Sequence, residues 1–190
     1  VELKYDLGLP PRITAQPLSQ AVVAGTNATL SVEAVNPLAS VPLAYQWRRD
    51  DLDVAGATNS TLILTNVQPA ASGNYGVVIT NVFGAVTSLV AAVTVTVPVA
   101  ITSPPQDQAA TVGGTAILAV SANGSEPLAY QWRFGGAALP GETNATLTLI
   151  EVQPADSGNY QVVVSNPAGA VTSPAASLTV SAPPVITAPP

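Results

Sequence analysis

The sequence predicts an all-β fold, with two tandem antiparallel β-sandwiches arranged as a rod. Three observations predict it. Pro42-Leu43-Ala44-Tyr45-Gln46-Trp47 returns as Pro127-Leu128-Ala129-Tyr130-Gln131-Trp132, and these blocks hold the only two tryptophans. A Tyr follows each Trp at the same distance, in Ser72-Gly73-Asn74-Tyr75 and Ser157-Gly158-Asn159-Tyr160. A repeat this long is one domain written twice, not a solenoid of small units. Between these landmarks run short apolar segments with turn signals about every 8–12 residues and no helical period, the pattern of a sandwich.

Taken in order, residues 1–11 form an extra N-terminal strand. Val1–Leu9 alternates apolar and polar with period two, and Pro10-Pro11 ends it because proline cannot extend a ladder on both sides. Leu3, Tyr5 and Leu7 share one face, opposite Glu2, Lys4 and Asp6. Tyr5-Asp6-Leu7 before Pro10-Pro11 aligns with Leu178-Thr179-Val180 before Pro183-Pro184, so the segment resembles a last strand without its domain.

Residues 12–97 are the first domain. Its expected strands are 12–16, Ala28–Val35, a strand carrying Leu43, Tyr45 and Trp47 inward, Thr61–Thr65, Asn74–Thr80 and a long Ala85–Val97. Asn81-Val82-Phe83-Gly84 is a hairpin turn with a glycine free to take positive φ. Residues 98–181 retrace the scheme, with a loop three residues shorter before the Trp strand. Residues 182–190 are proline-rich, and Val185–Pro190 repeats Ala100–Pro105 as though a third repeat began there. The Pro98 junction leaves almost no linker, which favours a rod.

The Trp, the Leu-x-Leu of Leu62 and Leu64, and the Gly-x-Tyr together resemble tandem, cysteine-free immunoglobulin-like domains of the intermediate set, found in bacterial surface and secreted proteins. The resemblance covers about 12–97 and 100–181. It implies tyrosine corners at Tyr75 and Tyr160. It also implies a core in which Val32 with Val77, and Val120 with Val162, stand where related domains carry a disulfide over Trp47 and Trp132. Loss of such a bridge costs about 2–5 kcal/mol, against roughly 1.5–3 kcal/mol of burial from each valine.

Composition narrows the chemistry. Cys, His and Met are absent and only 8% of residues are charged. Soft-metal, haem and iron–sulfur sites lose their ligands, and catalysis loses its commonest base and best nucleophile. Five basic residues against eleven acidic ones cannot form a nucleic-acid stripe. No run suits a membrane span. Without an initiating Met or signal peptide the chain resembles a processed product.

Two smaller features have ordinary readings. Asp50, Asp51 and Asp53 could hold calcium through oxygens, but the second repeat has Phe134-Gly135-Gly136 there, so a solvated turn is the simpler reading. Sequons at Asn27, Asn59, Asn123 and Asn144 are expected by chance in a chain this rich in Asn, Ser and Thr.

The expectation is a non-enzymatic extracellular or cell-surface structural or adhesive protein without metal or cofactor. Its subunits would join head to tail into a filament, with Leu3, Tyr5 and Leu7 adding a strand to a neighbour. The alternative is a spacer or glycan-binding accessory module of a large secreted or cell-surface protein. Partners would be further copies of the chain, or a surface glycan or protein.

Overall fold

The computed structural model describes residues 8–36 and 41–182. Leu3, Tyr5, Leu7 and residues 37–40 and 183–190 lie outside the described residues. The chain divides into two compact units between Thr96 and Val97.

Unit 1 holds ten strands: β1 (Arg12–Ala15), β2 (Gln20–Val23), β3 (Ala28–Ser31), β4 (Glu33–Val35), β5 (Ala44–Arg49), β6 (Leu52–Asp53), β7 (Thr61–Leu64), β8 (Gly73–Asn81), β9 (Gly84–Thr87) and β10 (Ala91–Thr96). Unit 2 repeats them as β11 (Ala100–Ser103), β12 (Gln108–Thr111), β13 (Ala116–Ala119), β14 (Ser121–Asn123), β15 (Ala129–Phe134), β16 (Ala137–Ala138), β17 (Thr146–Leu149), β18 (Gly158–Asn166), β19 (Gly169–Thr172) and β20 (Ala176–Ser181). One layer of unit 1 runs β2-β10-β8-β5-β6, with β9 also on β8; the pairs β1-β4 and β3-β7 make the other. Unit 2 has the same topology.

The strands form where small and β-branched residues alternate, and the buried phase makes each core. In unit 1, Ala28, Leu30, Val32, Trp47, Tyr75, Val77 and Ile79 are buried in one cluster. In unit 2, Val120, Trp132, Tyr160 and Val162 belong to the corresponding cluster. Both indoles are fully buried. Each ring N–H still finds an acceptor, since Trp47 Nε1 donates to Asn59 O and Trp132 Nε1 to Asn144 O, both at 2.9 Å. The burial therefore leaves no orphan donor.

The Ser-Gly-Asn-Tyr motif has a structural task at each of four positions. Ser72 Oγ accepts from Val95 N at 3.0 Å, tying β8 to β10. A Cβ at Gly73 would meet Asp50 Oδ2 at 2.8 Å and Arg49 Nε at 2.9 Å. Asn74 N donates to Asp50 Oδ1. Tyr75 OH donates to Ala71 O at 2.8 Å, across the single 3-10 turn Pro69–Ala71. In unit 2, Ser157, Gly158 and Tyr160 do the same against Val180, the Phe134 ring and Asp156 O. There Asp156 also accepts from Gln153 N, a bond that Ala71 cannot make.

Three expected strands differ in the structure. The 12–16 strand is followed by β2, which crosses to the other layer and runs parallel to β10. Buried Pro17 separates the two because it cannot donate to a continuing ladder. Ala28–Val35 breaks at Val32, whose N–H goes to Ser60 O. Ala85–Val97 is two strands, not one. Ser88 is buried at the break, where its Oγ accepts from Val77 N and donates to Leu89 O. That hydroxyl replaces a ladder bond and lets β10 leave β9 to meet β2. The turn after β5 is also tighter than expected: Asp50 and Asp51 take positive φ, and β6 pairs back on β5.

Three outcomes follow for stability. Trp47→Ala or Trp132→Ala should cost about 3–5 kcal/mol, seen as lost hydrogen-exchange protection at Val77 and Ile79 or at Val162 and Val164. Ser173→Ala leaves the buried Val162 N–H unpaired and should cost about 1–3 kcal/mol in urea denaturation. Burial raises the hydroxyl pKa of Tyr75 and Tyr160 above the ordinary 10.0, helped by Asp50 and Asp156 respectively, while Arg49 opposes it at Tyr75. The unfolded chain therefore releases these protons first, and stability should fall as pH rises above about 10. Replacing both with Phe should flatten that decline, measured by urea midpoints across the alkaline range.

Candidate functional site

The strongest repeated polar device lies where the chain enters each sandwich. Asn81, the last residue of β8, donates from Nδ2 to Leu9 O at 2.9 Å, and its Oδ1 accepts from Phe83 N at 2.8 Å. Asn166, the last residue of β18, donates from Nδ2 to Val97 O at 2.7 Å, and its Oδ1 accepts from Ala168 N at 2.9 Å. Leu9 precedes β1 by the same count as Val97 precedes β11. One amide thus closes its own hairpin turn and holds the incoming chain, in both units.

The seat has further walls. In unit 1, a Cβ on Gly8 would collide with the Phe83 ring, and one on Gly84 would meet Pro10 Cβ at 3.1 Å. Phe83 is thus a hairpin-tip residue whose ring lies against the incoming chain, although 44% of it remains exposed. In unit 2, Val97 N donates to Ser125 Oγ at 2.8 Å and Ser125 N returns to Val97 O at 3.1 Å. Sequence reasoning read Asn81 and Asn166 only as turn residues. Their recurrence at equivalent positions was the available signal.

The acidic turn is occupied by protein partners. Asp50 accepts from Asn74 N and stands 3.5 Å from Arg49 Nε. Asp53 accepts from Arg48 Nε at 2.7 Å. Among the described residues, no three His, Cys, Asp or Glu side chains gather as a metal set. No described helix is long and apolar enough to cross a membrane. The four sequon asparagines are all exposed, and Asn27 Oδ1 accepts from Asn66 N.

The outer face of the β5-β8-β9 sheet differs between the units. In unit 1 it carries a groove of about 360 Å³ bordered by Arg48, Asp51, Asn74, Gly76, Val78 and Val90. Gly76 lies opposite Arg48. Gln161 lies opposite Arg133 at the matching place in unit 2, and its Nε2 reaches Ser173 O at 3.2 Å.

Comparison with known proteins places these features. An immunoglobulin domain family model matches twice, over residues 10–81 and 98–166. The chain is 33% identical over 181 residues to endoglucanase C of Cellulomonas fimi, covering 91% of this chain and 16% of that protein. It is 31% identical over 184 residues to the basement membrane-specific heparan sulfate proteoglycan core protein of Mus musculus, covering 89% of this chain and 5% of that protein. The chain thus spans less than a fifth of the length of these relatives. Among solved structures, Sidekick-1 immunoglobulin domains 1–4 superpose with a TM-score of 0.79 at 23% identity, over 95% of this chain and 51% of that one. That likeness concerns the fold alone. With both family matches falling on the two sandwiches, each built on its buried Trp and tyrosine corner, the chain belongs to the immunoglobulin domain family.

Proposed function

We propose that this chain is a non-catalytic, serially joined spacer element of a larger extracellular or cell-surface protein. One observation carries the reading: Leu9 is held on unit 1 by Asn81 as Val97 is held on unit 2 by Asn166. Val97 follows strand β10 directly, and in sequence Tyr5-Asp6-Leu7 before Pro10-Pro11 aligns with Leu178-Thr179-Val180 before Pro183-Pro184. The relatives agree in kind, since each is several times longer than this chain. One is an endoglucanase and another a basement-membrane proteoglycan core, so a tandem pair of this type is compatible with both catalytic and matrix proteins. Partners then depend on the neighbouring domains, with no nucleic acid among them given five basic residues in 190.

A second reading uses the same N-terminal segment in trans. Leu3, Tyr5 and Leu7 would add a strand to a neighbouring copy and build a head-to-tail filament. It is favoured by β7, which pairs only with β3 among the described residues and carries Ile63 60% exposed. Sedimentation separates the two. The serial reading expects a monomer up to the highest soluble concentration, with or without residues 1–9. Polymers of the full chain that vanish on deleting residues 1–9 would replace it with the filament.

A further inference from the structure

We propose that the outer sheet face of unit 1 is a binding site for a short neutral saccharide, opened by Gly76 and closed in unit 2 by Gln161. The groove holds about 360 Å³, within the size range of roughly 300–1,000 Å³ typical of small-ligand sites. Gly76 and Val78 form its floor on β8, and Val90 forms part of the far wall. The polar rim is only partly committed. Asp51 and the side chain of Asn74 have no hydrogen-bond or ion-pair partner among the described residues, and Arg48 uses only Nε, toward Asp53.

The chemistry of that rim selects the ligand. An anion would face the carboxylates of Asp50 and Asp51, and a cation would face the guanidinium of Arg48. A peptide cannot add as a strand to β8 in the groove floor, because β8 is already paired with β5 on one side and β9 on the other. What remains is an uncharged molecule rich in groups that both donate and accept. Sugar hydroxyls donate to a carboxylate and accept from a guanidinium or amide. The Val78 and Val90 side chains offer apolar surface to the ring C–H faces. No aromatic side chain borders the groove, so hydrogen bonds must carry recognition, and binding is weak.

The comparison within the chain supplies the control. In unit 2, Gln161 spends its amide on Ser173 O, whereas the matching Ser88 carbonyl in unit 1 has no side-chain donor opposite it because Gly76 has no side chain. A Cβ on Gly76 would find its nearest neighbour, Ser88 Oγ, at an ordinary 3.7 Å, so the backbone at position 76 accepts a side chain. The proposal is independent of the serial reading: sedimentation can fail without touching the groove, and the groove can fail without changing sedimentation.

The test is an amide NMR titration of the full chain with cellohexaose, laminarihexaose and xylohexaose in turn. Saturable shifts are expected for at least one sugar at Gly76, Val78 and Ser88. Gly76→Gln should weaken them about tenfold, the scale of one or two lost hydrogen bonds. Asp51→Gly, which keeps the positive φ at that position and removes the rim carboxylate, should weaken them as well, and it decides alone if Gly76→Gln fails to fold. The proposal is overturned if no sugar gives saturable shifts, if they persist in Gly76→Gln, or if only the neutral peptide hexaglycine produces them.

Discussion

Each sandwich depends on one buried tryptophan whose ring nitrogen is satisfied by a carbonyl twelve residues ahead. Trp47 and Trp132 are fully buried, and a polar N–H at that depth would be costly without a partner. The acceptors, Asn59 O and Asn144 O, belong to the segments between β6 and β7 and between β16 and β17. The first segment is held from the other side: Trp47 N donates to Ala57 O, and Val54 N donates to Trp47 O. Gln46 adds a bond from its amide to Val54 O at 2.9 Å. Packing a large ring and fixing a long connection are thus one event. This explains how the two layers stay registered with no disulfide between them. Val32 and Val77 share the buried cluster of the indole, and the hydrogen bonds around the indole supply the directionality.

A second theme is the replacement of ladder bonds by short side chains wherever a strand changes partner. Ser88 and Ser173 are the buried polar residues among those described, and both take the amide of the neighbouring strand at 3.0 Å. Ser72 and Ser157 do this at the other end of the same strand. Ser19 Oγ receives Ala92 N, and Asp107 Oδ1 receives Ser177 N at the matching place. That bond holds the Asp107 carboxyl below its ordinary pKa. Asn81 and Asn166 extend the theme to the incoming chain. A sandwich built from short strands has many places where backbone groups lose a partner. These Ser, Asn and Asp side chains are spent there, so this part of the chain's polarity is structural.

The features legible in the sequence were those tied to a large or unusual residue at a fixed spacing. Trp47 and Tyr75 announce themselves because the register sets Trp47 opposite Val77 and Arg49 opposite Tyr75. Elements decided by tertiary contact were not legible. β2 is four residues without clear alternation, and its parallel pairing exists only because β10 lies beside it. β6 has two residues, too few to carry any period. The break at Ser88 did leave a signal, a Ser on the inward phase after Val86 that recurs after Val171. Apolar continuity on either side of it masked the break.

The groove over Gly76 was the least legible feature, since it consists of a missing side chain. Comparing the two copies makes it visible. Where both units share a residue, as at Trp47 and Trp132, Ser88 and Ser173, or Asn81 and Asn166, the residue closes the same bond in each. Where they differ, the difference concentrates on surfaces: Asp50-Asp51 against Gly135-Gly136, Phe83 against Ala168, Gly76 against Gln161. The turn after the Trp strand shows why such change is tolerated. Asp50 and Asp51 hold positive φ at 48° and 66°, and Gly135 and Gly136 hold it at 55° and 89°. Glycine takes this conformation without strain, whereas Asp50 has its carboxylate on Asn74 N to stabilise it. The backbone path is therefore common to both units while the charge on it is not. One scaffold can carry two chemically different faces, and a shared core alone does not require the two units to bind the same thing.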